Sequence, residues 1–164
     1  MAKFSKNVLT AIAGFDGQIL AQELVYAQKD FWNLAWTTTL LGVVTPVDLT
    51  GCTVDAQIVR RTITNLEDTR TGLSFDIADY SDPQPTAVDL TITNLDEEAG
   101  TFTMILDDDT WGVIGTDPEL NIAVNNPVCF SGRIKVSFPV IGTQPAYDEV
   151  IFLLFLITGD GVVN

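Results

Sequence analysis

Aspartate runs are the part of this sequence whose residue types best suit metal binding. Asp107–Asp109 are consecutive, and Asp76, Asp79 and Asp82 are spaced by three. Ca²⁺ prefers carboxylate oxygens, but neither set has the spacing of an EF-hand loop, and consecutive side chains of a strand point to opposite faces. We therefore predict no metal site. Both sets are interpreted as solvated turns, and a short helical turn is predicted over residues 109–114, capped by Thr110 or an aspartate before it.

Aromatic residues close together offer a second kind of chemistry, stacking against a sugar. Phe31, Trp32 and Trp36 lie within six residues. Side chains two apart in a strand share a face, so Trp32, Leu34 and Trp36 form one apolar row. We predict that this row packs in the core. The alternative is a carbohydrate-binding platform, to which Trp111 would also contribute.

Residue types that enzymes use for covalent or acid–base chemistry are scarce. Histidine is absent, which excludes Ser-His-Asp and Cys-His pairs and His-ligated metals. Cys52 and Cys129 form no C-x-x-C motif and are interpreted as small apolar residues in strands, with a disulfide as the alternative. No phosphate-binding loop or G-x-S-x-G occurs, although a carboxylate pair among the 22 acidic residues would not be visible in sequence. We predict a non-enzymatic protein with no catalytic residues and no cofactor.

Charge narrows the range of partners. The 164 residues include 8 Lys+Arg and 22 Asp+Glu, which gives a net charge of −14, and the basic residues are dispersed along the chain. A field of this sign repels phosphate groups, so neither nucleic acid nor an anionic membrane is an expected partner. The strongest apolar run, Val150–Ile157, is far shorter than the ~20 residues that span a bilayer. It is predicted to be a buried strand of a soluble protein.

Turn-forming residues divide most of the chain into short segments rich in β-branched and aromatic residues. Hydrophobic residues make up 46% of the sequence, which is enough for a packed core, and the length suits one domain. No long helical pattern separates the segments, so we predict an all-β fold: an antiparallel β-sandwich of about seven strands over residues 29–164. The predicted strands cover residues 31–41, 53–63, 73–77, 87–93, 101–106, 128–140 and 149–158.

The first 28 residues differ in character and are predicted to be an N-terminal arm. Their apolar residues are too many for a free tail, so they must be covered by this domain or by another chain. Because the predicted strands already close the sandwich, we expect at least part of the arm to dock on a neighbouring subunit. Lys3 and Lys6 would then face negative charge. The candidate interface residues are Val8, Leu9, Ile12, Phe15, Ile19 and Leu20.

A turn with the sequence PVDLTG, residues 46–51, precedes the strand predicted to begin at residue 53. Pro46 fixes φ and ends the preceding strand, and Asp48 or Thr50 can bond a nearby backbone N–H group. Gly51 can adopt the positive φ that reverses the chain. We predict that these four residues position two strands and take part in no chemistry.

This turn belongs to a longer stretch with a family resemblance. Phe31-Trp32, Trp36, the PVDLTG turn and the strand that ends at Arg60 resemble the N-terminal immunoglobulin-like domain of baseplate upper proteins of tailed phages and related small tail proteins. The resemblance covers about residues 30–160, and the arm and a longer loop over residues 115–127 depart from the family pattern. Its later parts are Gly100–Leu106, Gly132–Val136 and Phe155–Thr158.

The resemblance implies an immunoglobulin-like sandwich that serves as a structural component of a phage virion, in the tail, baseplate or fibre-attachment region. Its partners would be other virion proteins and further copies of this chain. It would be soluble in the host cytoplasm before assembly. A capsid decoration or neck protein is the alternative from the same class, and a carbohydrate-binding adhesin module is the alternative from another class.

Overall fold

The computed structural model describes residues 9–10, 19–28, 30–69, 72–79, 87–120 and 127–159, and the structural statements below concern those residues. They form strands and one short helix, so the all-β prediction is confirmed. The helix is α1 (Asp108–Ile114). The strands are β1 (Leu9–Thr10), β2 (Ile19–Val25), β3 (Phe31–Ala35), β4 (Thr37–Leu40), β5 (Val43–Pro46), β6 (Thr53–Thr69), β7 (Gly72–Asp79), β8 (Val88–Asp96), β9 (Thr101–Ile105), β10 (Val128–Phe138) and β11 (Tyr147–Thr158).

One large sheet contains nine of these strands. Its order is β1-β2-β11-β10-β6-β8-β9-β3, and β7 pairs with β6 beside this path. The pair β2–β11 is parallel, from Ile19↔Phe152 to Val25↔Thr158, and the other described pairs are antiparallel. The expectation of a wholly antiparallel arrangement is therefore wrong at β2, and the sheet is mixed.

Strand β8 connects the two parts of the curled sheet, because its two halves pair with different strands. Val88–Leu90 pair with β6, whereas the residues from Thr91 onward pair with β9. The β8–β9–β3 part therefore leaves the plane of the rest and gives a curled sheet. Trp32 of β3 stacks on Phe155 of β11 with ring centroids 5.2 Å apart. The core lies between these two parts of the curled sheet.

The tryptophan row is part of this core, as predicted. Trp32, Leu34 and Trp36 are 0%, 9% and 7% exposed. The Trp32 indole N–H donates to Oε1 of Gln22 at 2.7 Å, so its one polar atom is satisfied inside the core. Trp111 is buried as well. Since all three tryptophans of the chain are buried, none presents a free face for stacking on a sugar.

The predicted arm does not end where we expected. Residues 19–25 form β2, and Leu20 and Leu24 are buried in the core of this same chain. The Tyr26 N–H donates to the Thr158 carbonyl at 2.8 Å, which continues the pairing with β11. This segment therefore belongs to the sheet, because its main chain pairs with β11 and its Leu20 and Leu24 side chains lie in the core.

Helix α1 begins at the aspartate run, as the sequence predicted. Asp107 is the N-cap: its Oδ1 accepts from the Thr110 N–H at 3.0 Å, and its Oδ2 accepts from the Thr91 hydroxyl. These bonds, the one from Thr91 foremost, lower the pKa of Asp107 below its ordinary value. Thr110, Trp111 and Ile114 are the buried residues of the helix, so the cap fixes a helix that covers one end of the core.

We expect Asp107→Ala to lower the free energy of unfolding by about 1 kcal/mol, the usual cost of losing an N-cap. The pKa of Asp107 is lower in the folded state than in the unfolded state, so its contribution is complete above about pH 4 and is lost as pH falls through the folded value. Urea unfolding at pH 7 and pH 3 measures both effects. Asp109→Ala, which removes an exposed carboxylate from the same turn, is the control. Equal losses in the two variants would contradict the assignment.

Candidate assembly surface

Strands β4 and β5 form a two-stranded ribbon that pairs with no other described strand. Its register runs from Thr37↔Pro46 to Leu40↔Val43, and every residue of both strands is exposed. A soluble domain usually buries a row of large apolar residues, so this ribbon is the best candidate for contact with another molecule. The exposed fractions at its tip are 74% for Leu40, 96% for Leu41, 64% for Val43 and 62% for Val44.

The sequence did not predict this ribbon. We expected one strand over residues 31–41, but β3 ends at Ala35 and β4 starts at Thr37. Leu41 and Gly42 occupy the two turn positions, with φ of +51° and +78°, and positive φ at both positions is typical of a type I′ turn. Gly42 adopts this conformation freely, whereas a leucine in the left-handed region costs about 1–2 kcal/mol. The Leu41-Gly42 pair was the only local signal of the turn.

The base of the ribbon is held by main-chain hydrogen bonds. The Trp36 N–H donates to the Gly100 carbonyl at 2.7 Å, and the Val47 N–H donates to the Trp36 carbonyl at 2.9 Å. Gly100 has a φ of +67°, and a Cβ at this position would collide with the Val47 carbonyl. The Trp36 indole donates to the carboxylate of Glu149 in β11. These contacts connect the ribbon to both parts of the curled sheet.

The PVDLTG turn continues this base and has the geometry that its composition predicted. Pro46 is the last residue of β5, and Oδ1 of Asp48 accepts from the Thr50 N–H at 2.9 Å. Hydrogen bonds from the Thr50 side chain and main chain lower the pKa of Asp48. Gly51 has a φ of +76°, and Leu49 is fully buried. The turn therefore links β5 to β6 and anchors the ribbon through Leu49.

A second apolar loop lies at this end of the sheet, between β10 and β11. Val140 and Ile141 are 65% and 63% exposed, and an Ile141↔Gln144 bridge closes the loop. A Cβ built on Gly51 would lie 3.7 Å from Cγ of Pro139, so this loop adjoins the PVDLTG turn. We define the apolar end as the six exposed residues Leu40, Leu41, Val43, Val44, Val140 and Ile141.

Acidic residues lie in the segments that form or adjoin the base of the ribbon. The segments at this end of the sheet, residues 36–52, 94–100 and 138–149, contain no lysine or arginine. The net charge of these three segments is therefore negative, and they carry it beside exposed apolar residues. The exposed acidic residues within them are Asp48, Asp96, Glu97, Glu98 and Asp148.

Of the six interface residues predicted in the arm, only Leu20 has a side chain that the structure describes. Leu20 is buried in the core, so it is no inter-subunit contact. Leu9 and Ile19 are described only by their main-chain pairing in β1–β2. The other three, Val8, Ile12 and Phe15, lie outside the described residues.

The two cysteine thiols are poorly suited to nucleophilic chemistry. Cys52 and Cys129 are both free thiols. The interpretation as small apolar residues in strands holds for Cys129, which is buried in β10, but Cys52 lies just before β6 and is only partly buried. Burial raises the pKa of Cys129 to about 12 and also raises that of Cys52, so neither forms a reactive thiolate at neutral pH.

No group of three or more His, Cys, Asp or Glu side chains could hold a metal ion within the part of the chain that the structure describes. Of the predicted acidic sets, Asp76 and Asp79 lie in β7 and are described by main chain alone, and Asp82 is outside the described residues. Helix α1, the helix of the described ranges, is too short to cross a membrane.

A scan of protein-family models gives no match, and a search of curated proteins gives none either. The ribbon, the loop beside its base and the acidic residues of segments 36–52, 94–100 and 138–149 are therefore the features that suggest a function.

Proposed function

We propose that this protein is a non-enzymatic structural component of a tailed-phage virion, assembled in the tail, baseplate or fibre-attachment region through contacts with neighbouring subunits. The observation that carries the proposal is the anchored ribbon β4–β5, which holds four large apolar side chains in solvent. Such a surface suits protein–protein contact and provides no catalytic group. The resemblance over residues 30–160 supplies the assignment to a phage.

An immunoglobulin-like arrangement of the strands is part of this proposal. The neighbours β11-β10-β6-β7 correspond to strands G, F, C and C′ of a variable-type domain, and β3-β9-β8 correspond to B, E and D. Helix α1 then lies in the connection between E and F. This neighbour order supports the resemblance, because it depends on long-range pairing that the compared sequence motifs do not encode.

The energetics of the ribbon suit a contact that is repeated many times. Complete burial of a leucine or valine side chain contributes roughly 1.5–3 kcal/mol, so the four tip residues supply about 6–12 kcal/mol. The loss of translational and rotational freedom on association opposes this by about 4–15 kcal/mol. A single docked ribbon is therefore weak. In a symmetric assembly, several such contacts made together become stable.

The exposed ribbon and the buried tryptophans bear differently on the two alternatives, a capsid decoration or neck protein and a carbohydrate-binding adhesin. A capsid decoration or neck protein would use the same apolar end, so it stays the second candidate. The adhesin alternative required an exposed tryptophan platform for stacking on a sugar. Trp32, Trp36 and Trp111 are all buried, so that platform is not available.

The test is to locate the protein in purified virions of the phage that encodes it. We expect antibodies against the recombinant protein to label one end of the tail in electron micrographs, and mass spectrometry to find the protein in a fixed copy number per particle. Label on the head or neck would favour the second candidate. Absence of the protein from purified particles would overturn the proposal.

A further inference from the structure

We propose that Leu41 is an apolar knob that inserts into a socket on a neighbouring protein of different sequence, and that lysine and arginine residues line the rim of this socket. This inference rests on the proposed function, because it specifies the contact through which the protein docks in the virion. It predicts which residue of the ribbon matters most and what chemistry its partner has.

The conformation and the exposure of Leu41 are both unfavourable in the isolated chain. Its φ is +51°, in a region where asparagine, aspartate or glycine is the ordinary choice for the first position of a type I′ turn. Its side chain is 96% exposed, so it makes almost no contact within the described chain. Backbone strain at an exposed position points to a role outside the fold. Burial in a partner is the role that a leucine side chain can serve.

The rest of the ribbon presents Leu41 in a fixed way. Leu40 and Val43 are directly paired on either side of the turn, and both are mostly exposed. The hydrogen bonds of Trp36 and Val47 hold the ribbon at its base. Because the ribbon is already held in one conformation, docking of its tip costs little conformational entropy. A small contact area can then be sufficient for binding.

The acidic surroundings decide between the possible occupants. Glu97, Glu98 and the other exposed carboxylates at this end have no basic neighbour in residues 36–52, 94–100 and 138–149. The same end of a second copy carries the same charges, and an anionic bilayer also carries negative charge, so both would be repelled. A protein socket with a basic rim is attracted, and charge complementarity of this kind also selects the partner.

The first experiment replaces the gene in the phage by the variant L41N and measures incorporation into purified virions. Asparagine adopts the left-handed region readily, so we expect the melting temperature of purified L41N to equal or exceed that of the wild type. We expect its copy number in virions to fall by about tenfold or more, as for the loss of a central interface residue. The control is V113Q, which changes a residue of α1 that is 51% exposed and should leave incorporation unchanged.

The second experiment tests the rim. The double variant E97K/E98K reverses charge beside the ribbon without changing an apolar residue, and we expect it to reduce incorporation as well. Sedimentation of the purified wild type and flotation with vesicles of phosphatidylcholine and phosphatidylglycerol test the other occupants. A dimer that L41N abolishes, or flotation that L41N abolishes, would overturn the proposal in favour of a second copy or a lipid surface.

The outcomes separate this inference from the proposed function. If the wild type is present in virions and both L41N and E97K/E98K are incorporated as well as the wild type, the proposed roles of Leu41 and of a basic rim are wrong. The proposed structural function is then unaffected. If L41N is lost but E97K/E98K is incorporated normally, the basic rim is wrong. If the wild type is absent from virions, the proposed function itself fails.

Discussion

Removal of residues 1–24 is expected to unfold the protein. The truncation deletes Leu20 and Leu24 from the core and exposes the edge of β11 that pairs with β2. Loss of a buried leucine side chain typically costs about 2–5 kcal/mol, so the two together remove roughly 4–10 kcal/mol from a domain whose whole stability is of the order of 5–15 kcal/mol. Far-UV circular dichroism and urea unfolding of the shortened chain measure the effect.

The matched control for this truncation is removal of residues 1–8, which leaves every described element in place. We expect that variant to unfold cooperatively near the wild-type midpoint. An arm that served only to dock on another subunit would give a different result, because the chain lacking residues 1–24 would then be folded and merely fail to assemble. A folded, cooperative protein without residues 1–24 would contradict the assignment of β2 to the core.

Substitution of Trp32 by alanine is expected to lower the free energy of unfolding by about 3–5 kcal/mol. Trp32 is fully buried, and its ring stacks on that of Phe155 at an interplanar angle of 24°. In a domain of this size the loss corresponds to a fall in melting temperature of roughly 6–20 °C. Differential scanning calorimetry and urea unfolding provide the two measurements.

Trp32→Phe separates packing from hydrogen bonding at the same site. The phenyl ring can still cover Phe155, but Oε1 of Gln22 loses its donor inside the core. We expect a loss of about 1–3 kcal/mol from the unsatisfied acceptor, in addition to a small packing term, and a partial recovery when Gln22→Leu is added. An unchanged melting temperature for Trp32→Ala would contradict the core assignment.

Local pattern was sufficient to predict most of the strands, and distance along the chain explains what it missed. The Trp32-Leu34-Trp36 row was predictable because burial alternates with the period of a strand. Strand β2 was hidden because Gln22 lies on its core side, where it accepts the Trp32 indole N–H. A polar residue at such a position makes an inward-facing strand look irregular until its partner is known.

The candidate surface was harder to predict for a similar reason. The residues around Gly42 have the composition of a core strand, and nothing in their order indicates that β4 and β5 pair only with each other. Contacts between residues far apart in the sequence determine which strands pair. The buried Arg60 guanidinium likewise pairs with Asp117 at 2.6 Å, 57 residues further along the chain, and no spacing rule connects those two positions.

The parallel pairing of β2 with β11 has a consequence for the order of folding during synthesis. Ile19 and Phe152 are paired although more than 130 residues separate them, so the contact order of this sheet is high and its folding should be slow. On the ribosome, the apolar side of β2 cannot be covered until β11 has been synthesised, and translation at ~5–20 residues per second makes that interval roughly 7–27 s. A chaperone that shields residues 19–25 during this interval would raise the yield of folded protein.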